Sequence, residues 1–248
     1  LTSITGFVSE SCMAPALVFA TTLRMLDLVS TGPIDITGTE GLTAMRWFDC
    51  RGPLPDCPNL RRLELSLDDE DEERDLSQFS TLTTLTSLSI LIDEFEEELQ
   101  LPESIVELSV ELGYGGVDLE KLRPLTRMTS LCLTVHSRQA DPADLSELTT
   151  LEALDSTNAF VEAFPASLKT CNAAVLEGAD FSGLTRLSRL AIQCPRNAQV
   201  TFPTQLAHLE VSGVFPDSNI SDVHLKTLFC RLTQPMTDDQ QGQLPKTL

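Results

Sequence analysis

The sequence is short of several things at once. It has one tryptophan, one tyrosine and only four lysines, and 17 bases in total stand against 37 acids. A nucleic-acid binder needs a basic stripe to displace counterions from phosphates. None is present, and a net charge of −20 favours a basic or neutral partner over a polyanion. No stretch approaches the 18 or so consecutive apolar residues of a membrane-spanning helix, so no membrane insertion is expected. Catalytic signatures are missing too. His136, His208 and His224 have no partner at metal-ligand spacing, and no Cys-x-x-Cys pair occurs. Gly113-Tyr-Gly-Gly116 has no following Lys-Ser/Thr, so it is a turn and not a phosphate loop. The chain is therefore not read as an enzyme, and no cofactor is expected.

Seven cysteines, Cys12, Cys50, Cys57, Cys132, Cys171, Cys194 and Cys230, form no regular framework. Three of them replace leucine at inward positions of the repeat set out below, as small buried thiols do. A reducing, cytoplasmic compartment is expected.

What the sequence does hold is apolar periodicity. With 42% hydrophobic residues there is enough to build a core. The pattern L-x-x-L-x-L begins at Leu1, Leu23, Met45, Leu60, Leu85, Ile105, Met128, Leu151, Leu168, Leu187, Leu206 and Leu225. Across these twelve units only Gly6 and Ser156 break the apolar rule, far fewer than the composition alone allows. The pattern dictates a short strand, because side chains alternate across it. In Leu60-Arg-Arg-Leu-Glu-Leu65, Leu63 and Leu65 point inward and Leu60 packs one layer behind. A lone unit cannot hide its apolar side, so units must stack into one core with parallel strands. Each fully buried leucine then contributes about 1.5–3 kcal/mol before entropy is counted.

Two kinds of segment return the chain to the next strand. One opens with an acid and an apolar residue, as in Asp75-Leu76-Ser77, Asp118-Leu119, Asp144-Leu145-Ser146 and Asp180-Phe181-Ser182. Aspartate there is expected to cap a short helical turn. The other places proline three residues before the first leucine position: Pro102, Pro165 and Pro203. Proline enforces an extended, non-helical return, and these are shorter units.

The Asp-Leu-Ser…Leu-Thr-x-Leu units resemble internalin-type leucine-rich repeats. Leu101-Pro-Glu-Ser-Ile-Val-Glu-Leu108 and Phe202-Pro-Thr-Gln-Leu-Ala-His-Leu209 resemble the short proline-containing repeats of bacterial effector proteins. The likeness to the leucine-rich-repeat superfamily runs from Leu1 to about Cys230. It implies an α/β fold: a solenoid or horseshoe with about twelve short parallel strands on a concave binding face and irregular or short helical segments behind. The expected organisation is one repeat domain over 1–232 and a polar tail or linker over 233–248. Small inward residues at Ser156, Cys171 and Ala173 predict a thin core and an irregular stack there.

The register also assigns outward positions. Trp47 falls on the outward stripe beside Asp49, Arg51, Arg62 and Glu64, a cluster of the residue types that dominate interfaces. A register slip at the 15-residue spacing after Met45 would instead turn Trp47 inward. The acidic run holding Asp68, Glu70 and Glu72, with a second over 93–98, predicts a negative ledge for a basic partner. These runs lack the acid spacing and turn glycine of a Ca²⁺ loop, so no metal is assigned. The expected function is a protein-binding scaffold working through the concave face and acidic edge. The alternative is the recognition arm of a larger enzyme or signalling protein, which the Leu1 start inside a repeat favours. Oligomeric state is left open.

Overall fold

The computed structural model describes residues 2–8, 17–30, 36–48, 54–66, 76–92, 100–113, 119–136, 143–175, 177–196 and 198–245. Packing divides the chain into two compact units, Leu1–Met128 and Thr129–Leu248. The first holds strands β1 (Ser3–Val8), β2 (Met25–Ser30), β3 (Ala44–Phe48), β4 (Arg62–Ser66), β5 (Ser87–Ile92) and β6 (Glu107–Leu112). The second holds β7 (Ser130–Val135), β8 (Ala153–Ala163), β9 (Thr170–Ala174), β10 (Arg189–Cys194), β11 (His208–Gly213) and β12 (Thr227–Leu232). Within each unit, each strand pairs in parallel with the next in the series.

Register follows the apolar pattern. In the first unit Leu26, Met45, Leu63, Leu88 and Leu108 stand side by side, and so do Leu28, Trp47, Leu65, Ile90 and Val110. In the second, Leu131, Leu154, Cys171, Leu190, Leu209 and Leu228 form the matching row. A slip of one residue would turn a whole row into water, so burial pins the pairing.

One unit departs from the expected register. The third strand is built from Leu42-Thr-Ala-Met45-Arg-Trp47, not from a pattern beginning at Met45. Leu42, Met45 and Trp47 are buried, and Trp47 lies beside Leu28 and Leu65. The repeat begins at Leu42, 19 residues after Leu23 and 18 before Leu60. The anomalous 15-residue step disappears, and with it the outward placement of Trp47.

The turn entering each strand distinguishes the two kinds of return. The amide of the first leucine position donates to the carbonyl three residues earlier: Leu85 to Leu82 at 2.9 Å, Leu187 to Leu184 at 3.0 Å. In the units that open with an acid and an apolar residue, that residue donates backward in turn, Leu82 to Phe79 and Leu184 to Phe181. Pro102, Pro165 and Pro203 occupy the same position and accept from Ile105, Leu168 and Leu206. Proline has no N–H to donate. The preceding turn drops out.

The returns themselves differ from expectation in part. Leu76–Thr81 is a 3₁₀ helix and Leu119–Leu122 one α-helical turn, as the acid-apolar openings predict. Asp75 and Asp118 lie outside the described residues. Asp144 and Asp180, however, sit in two-residue strands. Their carboxylates accept from the amides two residues on, Ser146 at 2.9 Å and Ser182 at 2.8 Å, closing local turns instead of capping helices. Ala179–Asp180, Gln199–Thr201 and Asp217–Ser218 form a second, three-stranded parallel sheet.

The thin region predicted at Ser156, Cys171 and Ala173 is present. All three are buried, and the pairing of β8 with β9 shifts register between Ser156 and Phe160. Ser156 Oγ donates to the Ala159 carbonyl at 2.6 Å, holding the bend. Residues 233–245, expected as a polar tail, are folded onto the last coil. Thr237 and Gln240 form a reciprocal capping box on the helix Asp238–Gly242, and Gln240 Nε2 donates to the Phe215 carbonyl at 2.8 Å.

Candidate functional site: the outward sheet face

Residues between the inward pairs point away from the core, and in the first unit they gather charge. Arg46 and Glu64 are register partners on β3 and β4 and form an ion pair at 2.7 Å. Arg62 is exposed on β4, facing Ser87 of β5, which in turn faces Glu107 of β6. A hollow of about 290 Å³ lies among Arg61, Arg62, Thr86, Ser87, Val106 and Glu107. Thr43 and Thr86 donate their hydroxyls to the Arg24 and Arg61 carbonyls of the preceding coil, at 3.1 and 3.2 Å. These bonds fix the backbone at the strand entrances.

Of the residues predicted to bind a partner, Arg62 and Glu64 are on this face. Trp47 is not: it is 1% exposed, and its Nε1 finds no hydrogen-bond partner among the described residues. Asp49, Arg51, Asp68, Glu70 and Glu72 lie outside the described residues. The sequence reading missed Arg46, which takes the place that the displaced register gave to Asp49. Repeat regularity was the available signal, because starting at Leu42 evens out both neighbouring spacings.

A larger groove of about 650 Å³ opens elsewhere in the same unit, between the turn around Ser80 and Thr83, the Gln100–Ser104 return, and Lys121 with Arg127. Its volume is that of a small-ligand cleft. Its walls mix polar and apolar surface, with Leu101 and Pro102 buried beneath.

The second unit carries its own lateral pairs. Asn172 Nδ2 donates to Asp155 at 3.0 Å, and the His208 ring meets the Thr227 hydroxyl at 2.7 Å. Glu152 receives Lys169 at 2.7 Å and Arg186 at 3.9 Å, and the lysine's hydrogen bond holds the carboxyl below its ordinary range. Phe229, at the end of this face, is 53% exposed.

The described cysteines, Cys57, Cys132, Cys171, Cys194 and Cys230, are in no disulfide. Burial pushes Cys57 up to about 11, and Cys171 and Cys194 up to about 12, so the thiolate form is suppressed. Among the described residues no group of His, Cys, Asp and Glu is placed to hold a metal ion, and no helix is long and apolar enough to cross a membrane.

No protein-family model matches the chain, and no curated protein matches it. Solved structures do. An internalin (inlF) from Listeria monocytogenes superposes with a TM-score of 0.53 at 16% identity, over 88% of this chain and 69% of that one. TLR13 in a TLR13–ssRNA13 complex superposes with a TM-score of 0.55 at 16% identity, over 95% of this chain. The chain spans only 40% of the length of that TLR13 chain. Periodic inward rows, parallel pairing of successive strands and these structural likenesses agree: the fold of this chain is the leucine-rich-repeat solenoid.

Proposed function

We propose that the chain is a binding scaffold that takes a protein partner on the outward face of β3–β6, with Arg46, Arg62, Glu64 and Glu107 making the polar contacts. The observation that carries the reading is the Arg46–Glu64 ion pair on this face, beside a hollow at Arg62 and Glu107. Repeat stacking leaves the side chains of this face outward while the inward rows hold the core. The net charge of −20 selects a basic or neutral partner. Asp68, Glu70 and Glu72 add to that selection as long-range attraction. The TLR13 structure is a complex with ssRNA13, but a polyanion would meet net repulsion here, and no basic stripe offsets it.

The test is affinity capture followed by mass spectrometry, with the wild-type chain and two charge-reversed forms. Arg62→Glu with Glu64→Arg should lose the captured protein without a change in melting temperature. Glu70→Lys with Glu72→Lys should weaken capture by about tenfold at low salt and less at high salt. Capture indifferent to both changes removes this face and the acidic edge from the account.

A further inference from the structure

The last strand of the second unit differs from every strand before it in that unit. On β11, Leu209 and Val211 are 2% and 0% exposed. On β12, the matching Leu228 and Cys230 are half-buried, and so is Leu232. Among the described residues no strand pairs with the far edge of β12. The backbone confirms which groups are open. Thr227 N–H donates to the Ala207 carbonyl, and Thr233 N–H to the Gly213 carbonyl. In a parallel pair, alternate residues turn their amides and carbonyls to opposite sides. Thr227, Phe229 and Arg231 therefore bond toward β11, and the N–H and C=O groups of Leu228, Cys230 and Leu232 face the open edge.

The folded tail does not supply the missing strand. Its helix bonds back to Phe215, and Thr233 bonds to Gly213. Charge at this edge is locally positive. From residue 224 to residue 237 there is no acid, while Lys226 and Arg231 are exposed, in a protein of net charge −20.

We infer that the free edge of β12 accepts an extended segment of a partner protein as an added strand, one that alternates apolar and acidic residues. The segment's amides and carbonyls would meet those of Leu228, Cys230 and Leu232. Its apolar side chains would cover the same three residues, and its acids would stand beside Arg231 as Glu64 stands beside Arg46. Strand addition of this kind draws affinity from main-chain bonds and specificity from alternate side chains. Phe229 offers an apolar anchor on the outward side. A second copy fits this edge poorly, because a two-fold pairing about Phe229 sets Arg231 of one chain close to Lys226 of the other.

The test uses the full chain and two fluorescein-labelled peptides, one alternating valine with glutamate and one alternating valine with lysine. Fluorescence polarisation reads binding. The glutamate peptide should bind wild type. Arg231→Glu should weaken it by about tenfold or more and transfer preference to the lysine peptide. Cys230→Pro removes one N–H from an edge that no strand among the described residues pairs with, a position where proline is tolerated. It should abolish binding with melting temperature unchanged. If the proline variant does not fold, the exchange of peptide preference in Arg231→Glu decides alone. A glutamate peptide that fails to bind wild type, or binds all forms alike, overturns the inference. So does a wild-type dimer in sedimentation velocity that Cys230→Pro dissolves.

Discussion

The two units fill the same inward positions with very different volumes. In the first, β3 buries Met45 and Trp47 beside Leu63 and Leu65. In the second, β8 and β9 bury Ser156, Cys171 and Ala173 at the corresponding places. Both stacks close. The returns of those second-unit coils carry the missing bulk: Phe181 is fully buried, and its ring centroid lies 4.8 Å from that of Phe164. A coil's core is thus shared between its strand and its return. The strand pattern sets the register, and either side can supply the volume.

That comparison predicts its largest effects at the two bulky contributors. Trp47→Ala should cost about 3–5 kcal/mol, read by denaturant unfolding, because an indole-sized void opens between Leu28 and Leu65. Trp47→Phe should cost much less, since it also removes an indole N–H that has no partner among the described residues. Phe181→Ala should cost about as much as Trp47→Ala. The fluorescence of Trp47, the sole tryptophan, should be blue-shifted and shielded from soluble quenchers. Emission typical of water-exposed indole would restore the outward register, and a neutral Phe181→Ala would end the idea that returns carry core volume.

Most of the fold was legible because one period does most of the specifying. Leu63, Leu65, Leu88 and Ile90 could be placed inward from spacing alone, since burying one face leaves a single workable register. The failure at β3 is instructive. Met45-x-x-Phe48-x-Cys50 matches the apolar template as well as Leu42-x-x-Met45-x-Trp47 does. An apolar-only template cannot separate two overlapping matches, and the even spacing that could separate them is a long-range property. The returns were harder to read. Asp-x-Ser suits both a helix cap and a local turn, and the choice depends on neighbouring coils pairing there. In the candidate site, Arg62 and Glu64 followed from the register, and Arg46 was lost with it. The folded tail was readable in principle from Thr237-Asp-Asp-Gln240, a capping box set in a polar stretch.

An intermediate effect is expected from the buried thiols that replace leucine volume. Cys171 stays protonated in the folded chain up to about pH 12, against 9.0 for the free group, because burial penalises the thiolate. Cys194 behaves alike, and Cys57 rises to about 11. Above pH 9 the unfolded chain loses these protons and the folded chain keeps them, so the unfolded state gains. Stability is complete below pH 9 and falls as pH climbs toward 11–12, by roughly 1 kcal/mol per thiol at pH 10. Native-state thiol titration at pH 8 should find these three silent, with all of them reacting after denaturation. Cys171→Ala and Cys194→Ala together should flatten the alkaline loss, and an unchanged alkaline slope would assign it to other groups.

The smallest effect separates the two kinds of return. Where the first unit uses a helical turn at Leu76–Thr81, the second closes on the Asp180 carboxylate, which accepts the Ser182 amide. Hydrogen bonds from Ser182 hold the Asp180 carboxyl below its ordinary 3.8, and bonds from Ser146 do the same for Asp144. An acid lowered in the folded state contributes stability above its unfolded value and loses it as pH falls through the folded one. The second unit should therefore loosen first below about pH 4, seen as faster amide exchange at Ser146 and Ser182 than along 76–81. At neutral pH, Asp180→Ala should cost about 0.5–1 kcal/mol, and Asp180→Asn, which keeps an acceptor oxygen, should cost less. Equal acid sensitivity in Asp180→Asn and wild type would show that the turn's carboxylate is not the titrating group, leaving backbone pairing among the short return strands as what holds that side of the coil.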